Sequence, residues 1–388
     1  MLFCPSRMVY LDNAASTRPA PEVTDALLRA TAELYANAAS VHGPGAAAAR
    51  ALEGARAEVA ALVRAAPAEI LFTSGGTEAD ALGVLGAAGA ARGRHLVVTA
   101  IEHPAVLRNA ELLAGRGFTV TVVPPEPSGC VAAERVLAAV GPDTALVAVM
   151  LVNNELGTLQ PVAEIARGLR AAAPRAHLHV DAVQAAGVVP VDVKALGADS
   201  LALSAHKLHG PKGVGALWLR SGARCAPLWD GGRQERGLRS GTENVPACVA
   251  FGVAAALGRH ADGAALAGLR DELERRILAL IPGARSTVTG GPRAPHIASV
   301  LLPDLPAEPI LHALEARAVI ASAGSACASR TRGPSHVLKA VGVDEDAAVL
   351  RFSLSRFTTA AEVAAAAEAL GEAVDEIRPV ARQARGRR

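Results

Sequence analysis

Four lysines stand among 35 arginines in this chain of 388 residues, so a lysine is expected mainly where an amine is required, its alternative being a solvated charge that escaped the drift toward arginine. An amine can lose its proton or condense with a carbonyl, whereas a guanidinium stays charged and does neither. Lys207, in Ser204-Ala205-His206-Lys207, is the leading candidate for imine or proton-transfer chemistry. Asp181 closes the segment His177-Leu178-His179-Val180. A carboxylate leaving a strand end for a crevice needs a cationic partner, such as a protonated ring nitrogen. Thr73-Ser74-Gly75-Gly76-Thr77-Glu78 lies between a strand-like and a helix-like stretch, where free N–H groups and the helix dipole can hold a phosphate. The same glycines also suit any tight strand-to-helix turn. Neither GxGxxG nor GxxxxGK[ST] occurs, which argues against nicotinamide and nucleoside triphosphate chemistry.

Further polar groups follow other apolar runs. Asn153-Asn154-Glu155 can orient a cofactor hydroxyl, and Gln184 and His103 come from neighbouring loops; each alone is more commonly a turn or capping residue. Cys327 sits in Ala321-Ser322-Ala323-Gly324-Ser325-Ala326-Cys327-Ala328-Ser329. Residues this small cannot pack tightly, so the segment reads as a mobile loop carrying an exposed thiol. Cys4, Cys130, Cys225 and Cys248 read as small buried hydrophobes. With five scattered cysteines and no CxxC pair or zinc spacing, disulfides and structural zinc are not expected.

Positioning such groups requires an ordered sheet. Strands are expected at Ile70–Thr73, His95–Thr99, Phe118–Val123, Ala145–Val152, His177–Asp181, Ser200–Ser204 and Val214–Leu219, alternating with alanine-rich helices as in a parallel sheet with helical crossovers. Ligands then sit at the carboxyl ends of the strands. Ahead of this block, Pro44–Ala65 reads as an amphipathic helix with Glu53, Arg56 and Glu58 on its wet side. A glycine-rich connection, 230–237, leads to a helix near Ala247–Arg259. The remainder reads as α+β, with strands at Ile297–Leu302 and Val349–Leu354 and helices near Pro306–Ala316 and Thr359–Ile377. The expected division is a large unit over 19–259 and a small one from 1–18 and 260–388. The arginine-rich end from Ala381 reads as a frayed tail.

The chain is 51% hydrophobic but only 3% aromatic, and its formal net charge is +2. The composition suits an Ala/Val/Leu-rich α/β enzyme; the net charge gives no field that favours nucleic acid or an anionic membrane. No apolar run reaches the roughly 20 residues that span a bilayer, and the first residues lack a signal-peptide layout, so a cytoplasmic setting is expected. Met8, just ahead of the strand-like Val9-Tyr10-Leu11, is a candidate start.

A phosphate cradle, a carboxylate for a pyridinium and a lysine for an imine are the three things pyridoxal phosphate asks of a protein. The chain resembles the cysteine desulfurases, pyridoxal 5'-phosphate enzymes of the class V aminotransferase family. The resemblance rests on Val152-Asn153-Asn154-Glu155-Leu156-Gly157, Val180-Asp181-Ala182-Val183-Gln184, Ser204-Ala205-His206-Lys207, Arg239-Ser240-Gly241-Thr242-Glu243-Asn244 and Gly324-Ser325-Ala326-Cys327-Ala328-Ser329. It runs from Tyr10 to Leu354 and is closest to the longer-loop group. It implies an aspartate aminotransferase-like α/β fold, a mostly parallel seven-stranded sheet with a smaller α+β domain. By resemblance, Lys207 holds the cofactor as an imine, Asp181 faces the pyridine nitrogen, Gln184 and Asn154 bond the ring hydroxyl side, and His103 stacks on the ring. Gly76, Thr77, Ser204 and His206 bind phosphate, Thr242 reaches the phosphate of a neighbouring subunit in a homodimer, and Arg351 grips the substrate carboxylate.

The implied reaction converts L-cysteine to alanine and a persulfide on Cys327, destined for an iron-sulfur scaffold or a tRNA-thiolation enzyme. His103 or the substrate would take the thiol proton. The rivals are a selenocysteine lyase, an aminotransferase of the same fold, or a sulfur-transfer assembly protein with secondary catalysis. Ala38, Ala81 and Arg233 depart from the family pattern, where proline, asparagine and glycine are usual.

Overall fold

The computed structural model describes residues 8–324, 335–344 and 347–385. Twelve strands are numbered along the chain: β1 Val9–Tyr10, β2 Ile70–Thr73, β3 His95–Thr99, β4 Thr119–Val123, β5 Thr144–Met150, β6 His177–Asp181, β7 Ser200–Ser204, β8 Gly215–Leu219, β9 Arg285–Ser286, β10 Ile297–Leu302, β11 Val319–Ile320 and β12 Ala348–Ser353. Seven of them form the central sheet in the order β2-β8-β7-β6-β5-β3-β4. Only β8 runs antiparallel, against both β2 and β7. All seven expected strands are present, with ends shifted by a residue or two. Their legibility has a simple cause: a sheet covered on both faces needs near-continuous apolar strands.

Side-chain alternation assigns the faces. Val97, Val147, Val149, Leu178, Val180, Leu201 and Leu203 join the larger core, against helices that include Gly43–Leu62 and Val245–Gly258. Leu96, Val98, Leu146 and Ala148 face the other way, onto Val84, Val106 and Ala110 of the helical run after β2 and the helix Pro104–Ala114. On β6 the apolar Leu178 and Val180 take the first face, which leaves His177, His179 and Asp181 together on the second.

A separate core holds Leu11, Leu273, Ile277, Val300, Leu350, Phe352 and Leu370. It lies under the antiparallel sheet β12-β10-β9 and the parallel pair β1-β11, covered by the helices Gly263–Leu280, Ala307–Ala316 and Ala360–Arg385. Two expectations need correction. The last helix runs through Pro379 to Arg385, and Ala381 packs against this core, so Ala381–Arg385 is not a frayed tail. Arg56 is buried, not on a wet face. Its Nη1 and Nη2 donate to Glu235 at 2.7 and 2.8 Å, and Nη1 also donates to the Ile70 carbonyl at 2.9 Å. Glu235 in turn accepts from the Phe72 N–H, so a bidentate ion pair pins the glycine-rich connection onto β2. Among the described residues no helix is long and apolar enough to cross a membrane.

Candidate active site

The polar groups collect at the carboxyl ends of β2, β3, β5, β6 and β7, where an open α/β sheet leaves a crevice. Asp181 ends β6 and is buried; its Oδ1 accepts from the Val183 N–H at 2.9 Å. Burial raises its pKa, against the pull of His103, the Val183 N–H and Lys207, so these groups lie within electrostatic reach of each other. Lys207 closes the short turn Ala205–Lys207 after β7. Its Nζ donates to the carbonyl oxygens of Ala14 and Ala15.

His103 caps the helix Pro104–Ala114, its Nδ1 accepting from the Ala105 N–H at 3.1 Å. Burial lowers its pKa, with Asp181 opposing and Lys207 and His336 adding to the fall, which favours the neutral ring, and an accepting Nδ1 goes with the proton on Nε2. In that tautomer Nε2 donates.

The glycine turn fits a phosphate. A Cβ on Gly76 would lie 2.7 Å from Val183 Cγ2 and 3.3 Å from Ser204 Cβ, so glycine is what lets three segments converge beside the N–H groups of Gly76 and Thr77. Ser204 Oγ there is buried and has no hydrogen-bond partner among the described residues. A buried hydroxyl costs free energy unless something accepts from it or donates to it, and a phosphate oxygen would. Glu78 ties this turn to the 239–244 loop, accepting from the Ser74 N–H at 2.7 Å and from Arg239 Nε at 2.9 Å. Thr242 lines a cavity with Ser74, Arg239 and Asn244 of its own chain. His206 is half-buried and pushed down to about 4 by burial and by Lys207 and Lys212; its Nδ1 lies 3.3 Å from Ser16 Oγ. Gln184 spends its amide N–H on the Ala14 carbonyl at 2.7 Å.

Arg351, on β12, is 1% exposed. Its Nη1 donates to the Asn154 carbonyl at 2.8 Å and its Nη2 to Asp12 Oδ1 at 2.7 Å, while the buried Nε has no partner among the described residues. A carboxylate approaching the Nε edge would satisfy that donor. The tripeptide expected to orient a cofactor hydroxyl divides its work differently. Asn153 is structural: its Oδ1 accepts from the Glu155 and Leu156 N–H groups and its Nδ2 donates to the Ile101 carbonyl. Glu155 accepts from Ser335 Oγ at 2.5 Å. Asn154 offers its carbonyl to Arg351.

Cys327 lies outside the described residues. Cys225 and Cys248 are pushed up to about 12 by burial, which makes them inert as nucleophiles.

Several residues of the crevice escaped the sequence reading. Asp12, Asn13 and the Ala14 and Ala15 carbonyls come from the segment after β1. Glu102, with Thr99 Oγ1 and the Met150 N–H as donors to its Oε1, and His296 complete the walls. Two more carried a visible signal: His179 alternates with Asp181 along β6, and Asp80 lies one helical turn beyond Gly76 and Thr77.

The aminotransferase class-V model matches residues 9–365. The chain is 47% identical over 379 residues to a cysteine desulfurase of Cereibacter sphaeroides, covering 95% of this chain and 96% of that one. It is 43% identical over 364 residues to the cysteine desulfurase NifS of Azotobacter vinelandii, covering 92% and 90%. Among solved structures, a NifS-like protein aligns with a TM-score of 0.88 at 34% identity over 95% of this chain and 100% of its own. SspA in complex with cysteine aligns with a TM-score of 0.79 at 32% identity over 90% and 99%.

Proposed function

Because the chain belongs to the class-V aminotransferase family and is a cysteine desulfurase by its relatives, we propose that it binds pyridoxal phosphate between Asp181 and the Gly76 turn and moves the sulfur of free L-cysteine onto Cys327. The observation that carries this reading is one crevice holding Ser204 Oγ and Arg351 Nε without partners among the described residues, beside a buried Asp181. These are the places for a phosphate, a substrate carboxylate and a ring N–H. When bound, the coenzyme supplies an aldehyde that condenses with amines and a ring that withdraws electrons from the substrate α-carbon. Substrate cysteine is further supported by the SspA relative solved with that ligand.

Each residue then has a defined task. Asp181 keeps a proton on the ring nitrogen. Lys207 Nζ, released to its amine form, takes the α-proton and can return it. Arg351 fixes the substrate carboxylate, and Gly76, Thr77, Ser204 and His206 hold the phosphate. Gln184 and Asn154 line the hydroxyl side and His103 the ring face, donating from Nε2. The Cys327 thiolate attacks the substrate sulfur: an Sγ–S bond forms, the substrate Cβ–S bond breaks, and its electron pair stays on carbon, where protonation gives the methyl group of alanine. His103 or the substrate's own groups take the thiol proton. A homodimer in which Thr242 reaches the partner's phosphate, and delivery to an iron-sulfur scaffold or a tRNA-thiolation enzyme, complete the proposal.

The test is product analysis. Protein supplied with pyridoxal phosphate and L-cysteine should release one alanine per sulfur transferred, and Cys327→Ser should lose alanine formation while still binding the coenzyme. A keto acid in place of alanine would assign the site to transamination instead.

A further inference from the structure

Behind the site, a column of polar groups runs along one face of the sheet and has no part in the chemistry above. His179 is fully buried; its Nε2 lies 3.1 Å from Asp80 Oδ1 and its Nδ1 2.8 Å from Ser200 Oγ. His177 Nε2 lies 2.8 Å from the same Ser200 Oγ. The register builds this column: His179 pairs directly with Ser200 across β6 and β7, and His177, His179 and Asp181 share one face of β6. Its upper end is Asp80, buried near Asp181 and Glu102. Its lower end is His177, in the wall of a cleft at the amino ends of the strands, with Arg170, Asp199 and Arg220. The slot for the middle ring is purpose-shaped, because a Cβ on Gly83 would lie 2.2 Å from His179 Cε1 and Nδ1. Gly83 sits in a π-helical turn, Leu82–Gly86, a feature that recurs at functional positions.

We propose that Asp80, His179, Ser200 and His177 form a proton relay along one face of the central sheet, joining the basic cleft at the strands' amino ends to the buried carboxylate beside Asp181. With Asp80 ionised, His179 donates from Nε2 to Asp80 and accepts at Nδ1 from Ser200, whose Oγ accepts from His177 Nε2. A proton arriving at His177 Nδ1 passes the Nε2 proton to Ser200, the Ser200 proton to His179 Nδ1, and the His179 Nε2 proton to Asp80. One proton enters and one is stored; both rings end neutral with reversed tautomers, and only N–H and O–H bonds change. Burial supports neutral rings, holding His177 near about 4 and His179 near about 3. Asp80 is raised by burial and by Asp181 and Glu102. Once Asp80 holds the proton, its contact with His179 is a neutral hydrogen bond.

Two neighbouring carboxyls resist joint ionisation. With the proton on Asp80, Asp181 can remain the anion that a protonated ring nitrogen requires. This consequence rests on the proposed function; the relay does not.

The charged groups that bear on it are Asp181 and Glu102 at the top and Asp199, Arg170 and Arg220 at the bottom. The test is 15N NMR of histidine-labelled protein without added coenzyme, across the whole pH range in which the protein stays folded, because the group that takes up the proton is Asp80 and not either ring. The expected result is that His177 and His179 reverse tautomer together, with one midpoint. In Ser200→Ala the His179 reversal should persist and that of His177 vanish; in Asp80→Asn neither ring should reverse. Rings fixed in one tautomer throughout in the native protein, or a His177 reversal unchanged in Ser200→Ala, would overturn the relay and leave a purely structural network. Failure to take up pyridoxal phosphate would refute the proposed function and leave the NMR result standing.

Discussion

At the amino ends of β6 and β7, Asp199 accepts from the Leu178 N–H at 2.8 Å, from Arg220 Nε and Nη2 at 2.9 and 2.6 Å, and from Arg170. At the carboxyl ends of the same strands, Asp181 accepts from the Val183 N–H and sits near two further buried carboxyls, Asp80 and Glu102. The electrostatic outcome is opposite. Burial alone would raise Asp199, but His177, the Leu178 N–H, Arg170 and Arg220 hold it below the usual carboxylate range, whereas Asp181 is raised. One end of the strand pair satisfies its carboxylate within the protein; the other keeps it short of donors, as a site awaiting an external cation must. Substitutions at the lower end should therefore cost stability and those at the upper end chemistry.

The sharpest way to break that contrast is Lys207→Ala. Turnover should fall by about a hundredfold to ten-thousandfold or more, the range for losing a proton-transfer group, with no change in the thermal midpoint beyond a degree or two. Retained turnover at the native rate would remove the functional half of the comparison. At the other end, Asp199→Ala should leave kcat and KM near native while lowering unfolding free energy by about 1–3 kcal/mol, mostly from the stranded Leu178 N–H. Arg170 and Arg220 contribute little, because their side chains are 36% and 50% exposed and water screens them. Urea unfolding of both variants checks the pair.

The smallest effect is a slope. Glu102 is pushed up to about 8 by burial, against its bonds to Thr99 and Met150 and with Asp181 adding to the rise. A folded pKa above the unfolded one means the native state holds the extra proton, so stability declines as pH rises from about 4.5 toward about 8. Glu102→Gln keeps the oxygen that accepts both bonds and removes the ionisation. The variant's thermal midpoint should vary less over that interval and exceed the native one at its alkaline end. Asp199 has the reverse sign: its contribution is present above the unfolded pKa and is lost as pH falls through its lowered folded value.

How much of this was legible in the sequence follows from what each feature depends on. Apart from the half-exposed edge strand β4, the strands of the central sheet are short, Val- and Leu-containing segments buried on both faces, and such a segment between glycine-rich turns betrays itself. Lys207, Asp181, His103 and the Gly76 turn stand next to such strand ends, so their convergence followed from the sheet. What depended on distant contacts did not. Arg56 reads as a surface charge because Glu235, its partner, lies 179 residues away. Arg351 could be assigned a carboxylate, but nothing local announced that Asp12, 339 residues distant, already holds one of its nitrogens. The His177–His179 alternation was in plain view in His177-Leu178-His179-Val180-Asp181. Its meaning needed Ser200 from the next strand and the space left by Gly83.

The oxygens that receive the Lys207 ammonium belong to the main chain of Ala14 and Ala15, and that segment is bracketed by Asn13 Nδ2 and the Ala14 N–H bonding Ser353 and by the Thr17 N–H bonding the His206 carbonyl. No point substitution can delete a carbonyl. The berth of the Lys207 amine, the proposed reactive group, is thus buffered against genetic drift in side-chain identity and exposed instead to insertions, deletions or fusions that shift β1, which would misplace it without altering any residue proposed as catalytic.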